Sequence, residues 1–163
     1  MTITLARIDD RIIHGQTTTR WSRVVPVQGI LVISDNVVKD NLRKKVLKSA
    51  AGNLKLGVYD VEHGVEGISK GKESDKNFFL ISDSPQYFAR LIELGVDFGK
   101  TLNVGPMSSR EGSKVVGRAV AIDSDDYKAF EYMDRKGINI EFQLLPDDEA
   151  KNWKSVKSKY NAH

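Results

Sequence analysis

Residues 7–16 read RIDDRIIHGQ and follow directly on the apolar run Ile3-Thr4-Leu5-Ala6. The stretch sets Arg7, Asp9, Asp10, Arg11, His14 and Gln16 on one short segment. A neutral imidazole, with an ordinary pKa of about 6.5, is a nucleophile near neutral pH. Arg11, three residues before His14, offers a planar fork that matches two phosphoryl oxygens. Gly15 leaves no side chain where the backbone must approach a ligand. Thr17-Thr18-Thr19-Arg20-Trp21 reads as the start of a helix, whose first amides favour an anion. Gln16 adds a neutral donor. Together these residues describe a phosphate cradle around an imidazole, and phosphoryl transfer asks a protein mainly for alignment and positive charge.

The carboxylates then need a role. Asp10 is favoured for orienting the imidazole or Arg11. Asp9 is balanced between that role and a solvated turn or salt bridge to Arg7. Arg20 and Arg23, three residues apart, share one side of the helix and are candidates for partner docking. His63 and His163 are isolated in sequence. Without cysteine or a metal-ligand spacing around His14, no metal or cofactor is expected.

Such a loop has to be held by regular elements. Strand-like runs cover Ile3 to Arg7, Ile30 to Ser34, Lys55 to Tyr59, Phe78 to Ser82, Thr101 to Val104, Val115 to Ile122 and Ile138 to Leu145. Several are nearly continuous in apolar residues, as in parallel strands covered on both faces. Helical patterns lie between them. Ser84-Pro85 opens one that closes at Gly95, and Ser124-Asp125-Asp126 caps another that ends before Gly137. A third runs from Asp35 to Gly52. A fourth, between Val61 and Gly71, is weakened by Gly64 and Gly67. The alternation predicts an α/β fold: one domain over residues 1–163, an open, mainly parallel, doubly wound sheet with helices on both faces. The tail 151–163 reads as a terminal helix or frayed end. Ligands of such folds bind beyond the carboxyl ends of the strands, where the His14 loop lies.

The 163-residue chain is 40% hydrophobic and 29% charged, as in soluble globular domains. Its net charge of +3 is mild and lacks the dense basic stripe of a nucleic-acid binder, while Arg7, Arg11, Arg20 and Arg23 cluster around His14. No signal-peptide pattern opens the chain, and its apolar runs are too short to span a bilayer. A cytoplasmic location is expected.

ARIDDRIIHGQ resembles the opening signature of the IIB components of the mannose/fructose/sorbose class of the bacterial sugar phosphotransferase system. SDNVVKDNLRKKVLKSAA resembles the second helix of that family, and LNVGPMSSREGSK its Asn-Val-Gly-x-Met loop. The resemblance covers essentially the whole chain. It implies a cytoplasmic phosphotransferase peripherally associated with a membrane transporter. Its histidine, here His14, would accept a phosphoryl group from a IIA partner and pass it to a sugar delivered by IIC and IID. It further implies roles for Asp10, Arg11 and Gln16, with Asp35, Ser82, Asp83, Asn103 and Gly105 on neighbouring loops facing the site. Pro106 departs from the expected pattern. Mannose, fructose, sorbose and N-acetylgalactosamine all remain open as the sugar, with a lean toward the last from general likeness.

Other readings stay in view. A receiver domain would be phosphorylated on Asp60 but leaves His14 and Arg11 without purpose. A phosphoglycerate mutase-like enzyme would want arginine where Ile13 stands. Gly67 to Lys72 is a poor P-loop, lacking one spacer residue and the Ser/Thr. A non-catalytic phosphate- or sugar-binding module would bind without covalent change.

Overall fold

The structure, a computed structural model, describes residues 2–163, apart from the side chains of Thr2 and Gln16. The chain begins with β1 (Thr2–Ile8), α1 (Gly15–Val24) and β2 (Gly29–Ile33), then α2 (Asn41–Ala51), β3 (Lys55–Tyr59) and α3 (Val61–Glu73). β4 (Asn77–Ser82), α4 (Pro85–Glu93) and β5 (Thr101–Val104) follow. A hairpin of β6 (Lys114–Gly117) and β7 (Val120–Ile122) leads to α5 (Ser124–Arg135), β8 (Asn139–Phe142), β9 (Lys151–Asn152) and α6 (Trp153–Asn161).

The main sheet has the order β3-β2-β4-β1-β5-β8-β9, and only the last pair is antiparallel. The expected open, mainly parallel sheet with helices on both faces is therefore present. α1 and α2 cover one face through Trp21, Leu47 and Ala51 against Ile30, Val32, Phe79 and Ile81. α3 to α6 cover the other, with Ile68, Phe88, Phe130 and Trp153 among the buried side chains. β1 lies between β4 and β5. Its connection through α1 and that of β4 through α4 leave on opposite faces, which opens a crevice at their carboxyl ends.

Several local expectations change. The run from Val115 to Ile122 is a hairpin outside the main sheet, turning at Arg118-Ala119 with Ala119 at φ +58°. The final run stops at Phe142, and residues 143–150 loop back to β9, a strand too short and polar to read from sequence. The helix expected from Asp35 is broken: a single 3-10 turn covers Val37–Lys39 behind Asn36, and α2 starts at Asn41, where Asp40 accepts from the Arg43 amide. For α5 the cap is Asp123, in a reciprocal box with Asp126. The tail is an ordered helix with Trp153 and Val156 buried.

α3 is continuous through its glycines. A Cβ at Gly64 would sit 2.5 Å from Ile33 Cδ1, and one at Gly67 2.8 Å from the Tyr59 ring. The glycines let the helix lie close on β2 and β3, so packing overrides their poor propensity. Gly67 to Lys72 therefore belongs to a helix and forms no phosphate loop.

Candidate active site

The loop after β1 turns sharply, with the Ile12 amide donating to Asp9 O at 2.9 Å. Ile12 is buried and sits at φ +62°, in the left-handed region that branched residues avoid; such strain costs on the order of 1–3 kcal/mol. Burial of Ile12 and Ile13 in the α1–α2 core holds this turn in place and puts His14 immediately ahead of α1. His14 is the N-cap residue, and no side chain caps the helix. The first amides of α1 lack intrahelical acceptors, and the partial positive charge of the helix end falls beside the imidazole.

His14 Nε2 lies 3.0 Å from Asp9 Oδ2. The ring is 22% exposed and Asp9 is buried. The other oxygen of Asp9 accepts from the Arg11 amide at 3.0 Å. Behind Asp9 stands Arg7, with a guanidinium nitrogen 3.6 Å from Asp9 Oδ2. Arg7 also donates to the carbonyls of Gln143 and Leu144 at 3.0 Å each, and to the side chain of Asn103. It lies over the Trp21 ring at 5.2 Å. Burial pulls its pKa down from the usual arginine value, and Asp9 pushes it back up. Gly105 makes this possible: a Cβ there would meet the guanidinium at 2.2 Å.

Asp9, and not the favoured Asp10, is thus the carboxylate on the imidazole. Asp10 turns the other way and accepts from the amide and hydroxyl of Ser108. Its own amide donates to Pro106 O at 3.1 Å. Position 106 contributes through its carbonyl, which explains why proline is acceptable there. Arg7 and Asn103 were expected to line the site; they are buried behind it as the support of Asp9. Asp35 is also elsewhere, accepting from the Val61 amide at 2.9 Å. Ser82 accepts the Asp9 amide through its carbonyl at 2.9 Å. Asp83 takes a hydrogen bond from the Ser34 hydroxyl at 3.2 Å.

Arg11 is exposed, and its guanidinium has no partner among the described residues. Gly15 is exposed too, with open space where a Cβ would stand. The side chain of Gln16 lies outside the described residues. Arg20 pairs with Asp147 at 2.8 Å across two exposed side chains, and Arg23 is exposed. Two residues escaped sequence reading, Ser108, which meets Asp10, and Arg43. Arg43 of α2 donates to Asp10 O at 3.2 Å and lies 3.8 Å from Asp83. It ties the loop to α2 and β4, a contact across 33 positions that no local spacing could signal. Beside Asp10 opens a polar cleft of about 330 Å³, lined in part by Asp83, Ser108 and Arg110. Asp60, the rival phosphoacceptor, instead caps α3 by accepting from the His63 amide at 2.8 Å.

A histidine at a bare helix start, held by a buried carboxylate at the carboxyl edge of a doubly wound sheet, defines an α/β domain suited to phosphoryl chemistry. Comparison with known proteins makes the class specific. Residues 3–163 match the family described as the sorbose subfamily IIB component of the phosphotransferase system, and the chain belongs to that family. It is 36% identical over 153 residues to the sorbose-specific EIIB component of Klebsiella pneumoniae, covering 93% of each chain. It is 37% identical over 149 residues to the mannose-specific EIIAB component of Escherichia coli K12, covering 91% of this chain and 46% of that protein. The crystal structure of the IIB domain of the Klebsiella pneumoniae sorbose permease superposes with a TM-score of 0.90 at 35% identity, over 99% of this chain and 98% of that one.

Proposed function

We propose that the chain is a phosphohistidine carrier. His14 accepts a phosphoryl group from the phosphohistidine of a IIA partner. It passes the group to a sugar of the mannose, fructose, sorbose and N-acetylgalactosamine class, supplied by membrane IIC and IID subunits. The observation that carries this reading is the 3.0 Å contact between His14 Nε2 and Asp9. A carboxylate there holds the proton on Nε2 and leaves the lone pair on Nδ1, the nitrogen assigned here to bond phosphorus.

In the first half-reaction the P–N bond to the donor histidine breaks as the bond to His14 Nδ1 forms. Positive charge growing on the ring is balanced by Asp9. In the second, a sugar hydroxyl attacks, its proton passes to solvent water, and the electron pair of the P–N bond returns to Nδ1. Arg11 and the first amides of α1, from Gly15 and Gln16, carry the charge spread over the transferring oxygens. Asp10 fixes the loop through Ser108, and Arg20 and Arg23 add positive charge for docking IIA. A relative whose name joins A and B parts in one protein, of which this chain covers under half, supports that partnership. The work would be done in the cytoplasm against the transporter.

Incubation with phosphorylated IIA and intact-mass analysis tests the reading. The wild-type chain should gain one acid-labile phosphoryl group and His14→Ala none. Acid-labile phosphate on the variant would move the acceptor to another residue.

A further inference from the structure

We propose that the outer face of α2 seats on an anionic phospholipid surface. The helix carries Arg43, Lys44, Lys45 and Lys48 and no acidic residue. Its inner side is committed to the core through Leu47 and Ala51. Its outer side carries Leu42 at 74% and Val46 at 58% exposure. These are spaced i,i+4 and so stand one above the other. They are two of the four large apolar side chains left exposed among the described residues. Exposed Lys45 and Lys48 flank them, and among the described residues neither has an ion-pair partner.

The opposite layer is built differently. Lys70 pairs with Glu66, Arg90 with Glu62 and Glu93, and Lys157 with Glu131. Much of the charge on α3, α4 and α5 is thus paired within the protein; on α2 Arg43 meets Asp83, but Lys45 and Lys48, beside the exposed Leu42 and Val46, meet no acid among the described residues. Two features favour lipid over an acidic protein face. Lysine is depleted in protein–protein interfaces, whereas each lysine near an anionic leaflet attracts it without needing a fixed geometry. Aliphatic side chains interleaved with lysine on the free side of a helix are the pattern of a segment lying in the headgroup region. α2 starts on the carboxyl side of β2, and its Arg43 touches the His14 loop, so seating α2 would hold that loop at the membrane surface.

Co-sedimentation of the full chain with vesicles tests this. One set is pure phosphatidylcholine and the other is phosphatidylcholine mixed with phosphatidylglycerol. Binding is expected to the mixed vesicles alone and should weaken as salt shortens the screening length to about 8 Å at 0.15 M. Lys45→Gln with Lys48→Gln should lower partitioning roughly thirtyfold, and Leu42→Ser with Val46→Ser should lower it further at high salt, where the apolar contribution dominates. All four positions are exposed, so the fold is spared. The same charge change on α6, Lys154→Gln with Lys159→Gln, should lower partitioning by less than about threefold. Three results would overturn the assignment: no binding to the mixed vesicles, an equal loss from the α6 pair, or intact vesicle binding in α2 variants that accept phosphate poorly from IIA in solution. The last would give α2 to a protein partner. Vesicle binding is read without any phosphotransfer, so failure of the His14 reading would leave this result standing.

Discussion

On the α3–α6 face the core holds a cluster of packed aromatic rings. Phe88 meets Phe98 edge-on at 5.0 Å, and Phe130 lies 5.1 Å from Trp153 and 5.3 Å from Phe142. On the α1–α2 face the core around Trp21 and Phe79 ends in a strained turn at Ile12, and beside it a buried guanidinium and carboxylate, Arg7 and Asp9, occupy the end of the sheet. Apolar fill of the same volume would serve stability as well or better, since desolvation consumes most of the attraction in a buried ion pair. A protein that keeps the pair next to its half-buried imidazole is using it to fix that ring. The first face holds the fold together, and the second gives up part of its packing to hold His14.

The difference can be broken most severely at Asp9. Asp9→Asn keeps the shape but removes the charge, so acceptance of phosphate by His14 should fall by roughly two to four orders of magnitude. Arg7 also loses its counter-charge, and breaking such a pair costs about 3–5 kcal/mol, visible as a lower urea midpoint. Asp10→Asn should cost less than about tenfold in rate, because that carboxylate faces Ser108. A greater loss from Asp10→Asn than from Asp9→Asn would reverse the assignment.

Next in size is Arg11→Lys. Lysine keeps the charge and loses the fork, so the rate should fall by roughly one to three orders of magnitude, the range for one transition-state donor. Transfer to sugar should suffer more than acceptance from IIA, since a hydroxyl is a poorer partner than a second imidazole. Rates measured separately for the two half-reactions check this; equal, near-native values would remove Arg11 from the chemistry.

On the packing side, Gly67→Ala should destabilise by about 1–3 kcal/mol, although alanine favours a helix by about 1 kcal/mol. The new Cβ would stand 2.8 Å from the Tyr59 ring. A raised thermal midpoint would show that α3 can lift off the sheet without loss.

Gly67 also shows where sequence stops being informative. Its helix looked interrupted because propensity is local, while the reason for the glycine sits on β3. The same limit separates what was legible at the site from what was not. The loop, its histidine, glycine and arginine, and the helix behind them are contiguous, and their types alone suggested a phosphate cradle. The choice between Asp9 and Asp10 was not legible, because adjacent residues in a turn point to opposite sides and only Ser108 and Arg7, about a hundred and two positions away respectively, decide which is which. Arg43 reaches the site from α2, and the role of Asn103 as a support of Arg7 shows only across the sheet. Strand order and the hairpin at Ala119 were equally invisible to periodicity, which reports a face and not a neighbour.

The smallest effect tests whether the strand-end carboxylate next to the loop is held at a cost. Asp83 is 14% exposed, accepts one hydrogen bond from Ser34 and lies 3.8 Å from Arg43. Burial raises its pKa above the ordinary 3.8, outweighing the help of Ser34 and Arg43. A carboxyl raised on folding binds its proton more tightly in the native state. Stability therefore falls as pH rises from about the ordinary value through the raised one, and the full penalty is present above it. Asp83→Asn removes the ionisation while keeping the shape, so it should stabilise the protein at pH 7 by up to about 1 kcal/mol, and the gain should fade as pH falls through the raised value and be gone below the ordinary 3.8, where the carboxyl is protonated in both states. Thermal midpoints of both proteins across that range measure it. A variant less stable at pH 7 would mean that the attraction of Arg43 exceeds the burial cost, and that this carboxylate, like Asp9, is retained by a charge partner.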